Sequence, residues 1–258
     1  KSSRSNAVTY LKVYDDIRKL LSDQQYAKLN GYTPSHFSFN IDGGRCPECQ
    51  GEGFVKIGMQ FMADVTMVCE ACSGKRFKPD ILEVRYKGMN IDDILNMSVE
   101  EAISFFGSQD DLLAHRIAER LQPLVDVGLS YIKLGQSSST LSGGESQRVK
   151  LAYFLSMNDT VSKGKQQRIL FIFDEPTTGL HFYDVEKLLK SFDALIAKGH
   201  TIVVVEHNPD VIKAADWIID LGPEAGDAGG NLVFAGLPEE IIDCKASHTA
   251  CYLMNQED

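Results

Sequence analysis

Four of the six cysteines fall in two pairs, Cys46-Pro-Glu-Cys49 and Cys69-Glu-Ala-Cys72, separated by nineteen residues. Two residues between thiols let both sulfurs of a tight knuckle face one ion. Two such knuckles complete a tetrahedral four-thiolate shell suited to Zn²⁺. A closed shell leaves no open coordination position, so the metal it predicts is structural. Two disulfides, free thiols or a rubredoxin-like iron shell are the competing uses of these residues. Gly51, Gly53 and Gly74 follow the knuckles and suit left-handed turns that aim backbone N–H groups at thiolates. Cys244 and Cys251 lack pair spacing and read as ordinary helix or tail residues.

A second constellation lies downstream. Leu141-Ser-Gly-Gly-Glu-Ser-Gln-Arg148 precedes a helical stretch carrying Val149, Leu151, Ala152 and Leu155. Ser142 and Glu145 alone are a capping box, a common helix start. Two glycines just inside that start are poor helix formers, and they suit backbone N–H groups bared toward an anion at the positive end of the dipole. Ile169-Leu-Phe-Ile-Phe-Asp-Glu-Pro176 reads as a buried strand running into two acids at its carboxyl end, where open α/β sheets place ligands. There Asp174 could position Mg²⁺ through its water shell and Glu175 could orient and deprotonate a water. An isolated pair of that kind would instead be a helix cap. Ile202-Val-Val-Val-Glu-His207 is a second strand, ending in an imidazole that could bond a γ-phosphate. The order and spacing of the three elements favour nucleotide chemistry over the separate structural explanations.

These residues need elements to position them. Apolar Val13, Ile17, Leu20 and Leu21 predict helix over 11–30, with a second short helix from Asp23 and a stop at Gly31. Residues 36–86 hold the paired cysteines, many glycines and the runs Phe54–Ile57 and Asp64–Val68, which predict small β-ribbons. Ile81–Tyr86 reads as one more strand. Ser98 to Glu101 fits a capping box, and Asp111–Val127 reads as an amphipathic helix interrupted at Pro123. From Arg168 the pattern alternates: strand 169–173, helix 183–197, strand 201–205, helix 209–215, strand 217–221, then an edge strand over 229–236 and a terminal helix. Short apolar strands separated by crossover helices predict a parallel α/β sheet covered on both sides. The expected organisation is an N-terminal helical segment at 1–35, a metal-held insertion at 36–88, a helical subdomain at 89–160 and an α/β core at 161–258.

The 258 residues carry 26 Lys plus Arg against 36 Asp plus Glu, a formal charge of −10, which excludes a basic, histone-like binder. At 43% hydrophobic and 24% charged the composition is that of a folded globular chain. Nine acids and one Lys lie between Glu206 and Asp243, whereas Arg45–Gly88 holds seven Lys or Arg against six acids. Phosphate attraction depends on the face presented, so the cysteine segment stays compatible with a nucleic-acid contact through Arg45, Lys56, Lys75, Arg76 or Lys78. The apolar runs fall far short of the ~20 residues of a membrane span, and no leader pattern opens the chain. A soluble, cytoplasmic chain with no membrane partner is expected.

Leu-Ser-Gly-Gly-Glu at 141–145, Phe-Asp-Glu-Pro-Thr-Thr-Gly-Leu-His at 173–181 and Val-Glu-His-Asn at 205–208 resemble the signature, Walker B, D-loop and His-switch of the ABC ATPase superfamily. Cys-Pro-Glu-Cys-Gln-Gly-Glu-Gly, the second knuckle with Gly-Lys-Arg-Phe, and the run from Gln136 to Ala152 narrow the likeness. So does Arg4-Ser-Asn6 with Thr9-Tyr10. Together they resemble the C-terminal nucleotide-binding half of the UvrA family, the damage-recognition subunit of bacterial excision repair. The resemblance implies a partial ABC-type nucleotide-binding domain with a helical signature subdomain and a zinc-module insertion. It implies Cys46, Cys49, Cys69 and Cys72 as zinc ligands and Ser142, Gly143, Gly144, Glu145 and Gln147 as ATP contacts, the first four to a γ-phosphate held by the opposite domain. Asp174 (through Mg²⁺), Glu175 and His207 are implied to serve the other ATP. Damaged double-stranded DNA, UvrB, a second copy and the remainder of the same chain are the implied partners.

One expected part has no match. Gly-x-x-x-x-Gly-Lys-[Ser/Thr] does not occur; Gly74-Lys75 and Gly164-Lys165 have Cys69 and Asp159 at the first Gly position. The family's Q-loop glutamine would also lie before Lys1. The sequence is thus expected to be part of a longer protein, to hydrolyse ATP negligibly by itself, and to leave a sheet edge and apolar surface exposed. Competing readings are an ABC transporter ATPase, which the cysteine insertion disfavours, and a DnaJ-like zinc chaperone module, disfavoured by having two knuckles where that module has four repeats. A zinc-dependent DNA-binding or docking scaffold without ATPase activity is the third.

Overall fold

The computed structural model describes residues 5–59, 62–157, 168–224 and 229–254; Arg4 and the boundary expected at 160–161 lie outside the described residues. Two compact units are present, Lys1–Gly164 and Lys165–Asp258.

The first unit is mainly helical. It comprises α1 (Ala7–Tyr10), α2 (Val13–Ser22), α3 (Gln25–Leu29), a 3-10 turn (Pro34–Phe37), β1 (Phe54–Met59), β2 (Met62–Val68), α4 (Pro79–Leu82), α5 (Ile91–Asn96), α6 (Val99–Gly107), α7 (Leu112–Asp126) and α8 (Gly143–Ser156). Helical spacing turns Val13, Ile17, Leu20 and Leu21 of α2 inward, with Val99, Ala102 and Phe106 of α6 and Ile117, Leu121 and Leu124 of α7. Buried Asp16 on α2 binds Arg116 and Arg120 of α7 at 2.7 Å each, a two-armed link between helices far apart in sequence. The cap expected at Ser98 is present: Ser98 Oγ accepts the Glu101 N–H and Glu101 Oε2 accepts the Ser98 N–H. Gly31 ends α3 with φ +69°.

Two sequence expectations change here. The strand expected at Ile81–Tyr86 is instead α4 followed by a tight turn. Pro79 at the first helical turn, with its fixed φ, and Asp80 beside it start a helix. Tyr86 and Met89 then close on each other across left-handed Lys87 and Gly88. Pro123 does not interrupt α7, which runs on to Asp126. The missing N–H is outweighed by the buried residues on both sides of it, Leu121 and Leu124.

The second unit contains β3 (Leu170–Asp174), α9 (Phe182–Ala197), β4 (Thr201–Val205), α10 (Pro209–Lys213), β5 (Ile218–Gly222), β6 (Asn231–Gly236), a 3-10 turn (Ile241–Asp243) and α11 (His248–Met254). β3 and β4 pair in parallel, Leu170 opposite Thr201 through Asp174 opposite Val205. Their buried face, Phe171 and Phe173, packs under α9, with the Phe173 and Phe192 rings 5.0 Å apart. Leu170, Ile172, Val203 and Val205 lie exposed on the other face, so the sheet expected to be covered on both sides is, among the described residues, covered on one. β5 exists as expected, but among the described residues it pairs antiparallel with β6 and not with β4. Its crossover helix α10 has only five residues, whereas β6 is a sequential neighbour, and a local antiparallel return needs no long crossover. Among the described residues no helix is long and apolar enough to cross a membrane.

Candidate functional site

The four paired cysteines converge. Their sulfurs lie within 4.8 Å of one another and all four residues are buried. Cys46 and Cys69 sulfurs are 3.9 Å apart, and those of Cys49 and Cys72 3.6 Å. Disulfide sulfurs sit at about 2.0 Å, so no bond is formed. A tetrahedron with metal–sulfur distances of about 2.3 Å has edges of about 3.8 Å, and the observed spacing fits a four-thiolate metal shell. The expected glycines shape it. Gly51, Gly53 and Gly74 have φ of +84°, +81° and +81°, and the Gly53 N–H donates to Cys49 Sγ at 3.3 Å. Burial pushes the Cys72 thiol up to about 12 and raises Cys49, while the Cys72 N–H lowers Cys69. Buried thiolates lack a compensating charge among these side chains, which a divalent cation would supply.

The cations named for DNA contact separate into two groups. Arg76 donates to the Gly135 carbonyl at 2.9 Å and covers the Phe39 ring, while its own carbonyl accepts the Cys46 N–H. Arg45 is held by Asp42 and by the carbonyls of Asn40 and Gln50. Both arginines therefore brace the cysteine module. Lys56 and Lys75 are exposed and Lys78 is half-buried. Lys56 lines a cavity of about 310 Å³ between the hairpin and the 135–140 segment.

At the start of α8, Ser142 Oγ accepts the Glu145 N–H at 3.2 Å, and Glu145 Oε2 accepts the Ser142 N–H at 2.7 Å. The Tyr131 hydroxyl donates to Glu145 Oε1 at 2.6 Å. Burial resists ionisation of Glu145, but the Tyr131 and Ser142 hydrogen bonds outweigh it and hold the carboxyl below its ordinary range. Glu145 thus locks the helix entry, and Tyr131 is a positioning group that sequence spacing did not reveal. Gly143 has no neighbour within 4 Å of where a side chain would begin, so internal packing gives no reason for glycine there. Gln147 sits one turn in, half-buried.

In the second unit, Asp174, Glu175 and His207 gather at the carboxyl ends of β3 and β4. Asp174 closes the exposed face of β3, whereas Glu175 leaves the strand with φ +44° and donates its N–H to the Val205 carbonyl. That left-handed turn brings Glu175 Oε1 to 3.9 Å from His207 Nδ1, both side chains open to solvent. Glu206, not singled out from the sequence, is central. Its Oε1 accepts the Thr177 N–H at 2.9 Å and the Thr177 hydroxyl. Its Oε2 accepts the His207 and Asn208 N–H groups at 2.9 and 3.1 Å. Partial burial opposes ionisation, but these four donors outweigh it and keep the carboxyl below its usual range. The signal was one acid next to one strand-end histidine, too common to stand out.

No family model matches the chain. It is 53% identical over 253 residues to UvrABC system protein A of Clostridium perfringens and 52% identical to that of Vibrio cholerae. Each match covers 98% of this chain and 26% of the relative, so the chain spans about a quarter of these relatives' length. The crystal structure of UvrA2 from Deinococcus radiodurans superposes with a TM-score of 0.83 at 42% identity, covering 98% of this chain and 30% of that one. A four-cysteine module, a glycine-opened helix and an α/β strand pair, in a fold shared over nearly the whole chain at this identity, make the chain similar throughout its length to about a quarter of a UvrA protein.

Proposed function

We propose that this chain is the C-terminal portion of a UvrA-type ABC ATPase acting in nucleotide excision repair. ATP hydrolysis then controls its dimerisation, its engagement of damaged double-stranded DNA and the loading of UvrB, without cutting DNA itself. The observation that carries the reading is the pairing of Glu175 and His207 at adjacent parallel strand ends, in a chain 53% identical to a UvrA protein. In this reading Cys46, Cys49, Cys69 and Cys72 hold a structural Zn²⁺. Ser142, Gly143, Gly144, Glu145 and Gln147 face the ATP of the opposite nucleotide domain, with Gly143 leaving room for the γ-phosphate. Asp174 would hold Mg²⁺ through its water shell, and the ion would supply positive charge to the phosphates. Glu175 orients and deprotonates the attacking water, and His207 bonds the γ-phosphate. The same reading keeps the division at 1–35, 36–88, 89–160 and 161–258, and a cytoplasmic setting.

The P-loop lysine that grips β- and γ-phosphates is absent from these 258 residues. The isolated chain should therefore turn over ATP negligibly, and the full-length protein carrying this sequence should turn it over in a Glu175-dependent way. Steady-state hydrolysis by the isolated chain, the full-length protein and its Glu175→Gln variant tests this. Robust turnover by the isolated chain, or a Glu175→Gln protein as fast as the parent, would refute it. The absent motif also favours a second reading, a zinc-dependent DNA-binding or docking scaffold; lesion-selective binding indifferent to ATP in the full-length protein would select it.

A further inference from the structure

Two of the groups named for chemistry in the second unit, Glu175 and His207, sit on two loops, 175–179 after β3 and 206–208 after β4. Strand pairing holds the loop bases together through the Glu175 N–H on the Val205 carbonyl. Beyond the strands, the Glu206 side chain bonds to both loops. We infer that Glu206 is a positioning residue: its carboxylate clamps Thr177 to the His207–Asn208 turn and so sets the separation of Glu175 and His207.

The clamp requires a carboxylate. Each oxygen accepts two hydrogen bonds: Oε1 from the N–H and hydroxyl of Thr177, Oε2 from the N–H groups of His207 and Asn208. Three of the partners, spread over both loops, are backbone N–H groups that can only donate, and the Thr177 hydroxyl donates here as well, so no orientation of an amide satisfies all four. A glutamine keeps one acceptor oxygen and turns an NH₂ toward N–H groups on the other side. Whichever way the amide is turned, at least one backbone N–H, of Thr177 or of the His207–Asn208 turn, loses its acceptor. Aspartate is one methylene too short to span the same pairs. The carboxylate also explains why Glu175 can hold its left-handed turn, because Thr178 N–H closes back on the Glu175 carbonyl within a loop the clamp fixes from the other side. Glu206 touches neither Glu175 nor the His207 ring through these bonds; it acts through the two backbones.

The inference rests on the proposed ATPase reading for its consequence, but the clamp itself can be measured apart from it. The experiment uses the full-length protein carrying this sequence, comparing the parent with Glu206→Gln, Thr177→Val, Thr177→Ser and Glu175→Gln. Amide hydrogen exchange at Thr177, His207 and Asn208 and steady-state ATP hydrolysis are the two readouts. Glu206→Gln should speed exchange at one or both loops about tenfold and lower kcat by about ten- to a hundredfold with KM within about twofold. Thr177→Val, which loses the hydroxyl but keeps the N–H, should show a smaller loss that Thr177→Ser restores. Unchanged exchange in Glu206→Gln overturns the clamp. Accelerated exchange with unchanged kcat, in a protein that Glu175→Gln inactivates, overturns its positioning role. If Glu175→Gln leaves hydrolysis unchanged, the ATPase reading fails and the exchange result alone decides the clamp. Should Glu206→Gln not fold, the Thr177 pair carries the same comparison.

Discussion

At the scale of single residues, the module and the strand ends depend on atoms that tolerate little change. A Cβ at Gly51 would lie 2.2 Å from the Phe39 carbonyl oxygen, and its φ of +84° is strained for any other residue. Gly51→Ala combines both penalties and should destabilise the cysteine module by on the order of 2 kcal/mol or more, weakening its hold on metal. Urea midpoints and zinc competition against a chelator check this; an unshifted midpoint with parental zinc retention refutes it. Glu206 gives a pH dependence of known sign. Its carboxyl is held below the ordinary value near 4.3, so its contribution is fully present above that value and is lost as pH falls through the lower folded-state value. The parent and Glu206→Gln should thus differ in Tm at pH 7 and converge in acid. A gap that persists well below pH 4 would contradict this.

At the scale of elements, the β1–β2 hairpin shows what the metal would do. Val55, Ile57, Val65 and Met67 are exposed, so the ribbon has little apolar packing of its own. Its ends are tied at the knuckles by the Cys69 N–H on Gly53 and the Cys46 N–H on Arg76. Removing metal should release residues 45–78, with amide exchange there rising about a hundredfold while α6 and α7, held by their own core, change less than about threefold. Cys72→Ser should do the same without a chelator. Uniform acceleration across both regions, or none, would contradict this. The knuckles, the capping boxes at Ser98 and Ser142 and the strands before Asp174 and His207 were legible because each is encoded by neighbours within about four residues. At Ile81–Tyr86 the reading passed over a local signal, Pro79 opening a helix; elsewhere packing decided. Pro123 is overridden by the core around Leu121 and Leu124, and the partner of β5 depends on β6, which no local pattern names. Tyr131 reaches Glu145 across fourteen residues and Glu206 reaches Thr177 across twenty-nine, so neither contact leaves a periodic trace.

At the scale of the whole molecule, charge divides as the fold does. Residues 1–164 carry twenty acids and nineteen Lys or Arg, whereas residues 165–258 carry sixteen acids and seven. The deficit of −10 therefore belongs almost wholly to the α/β unit, and a polyanion approaching that unit meets net repulsion. The near-neutral first unit does not impose this barrier. Within it, the structure removes Arg45 and Arg76 from the supply of available cations by committing them to carbonyls and Asp42, and it leaves Lys56 and Lys75 on the surface. If the cysteine module meets DNA, these two lysines should carry its phosphate contacts. Lys56→Glu with Lys75→Glu in the full-length protein should then weaken damaged-duplex binding and lower the slope of log K against log salt by about one per lost contact. Lys190→Glu, on the exposed side of α9 in the acidic unit, should leave the slope alone. An unchanged slope in the double variant would place the DNA elsewhere. A slope change together with lost metal would mean the module had unfolded, which zinc content measured on the same sample distinguishes. Arg76→Gln supplies the converse: it should disturb zinc retention through its tie to Gly135 and the Phe39 ring before it alters any salt dependence.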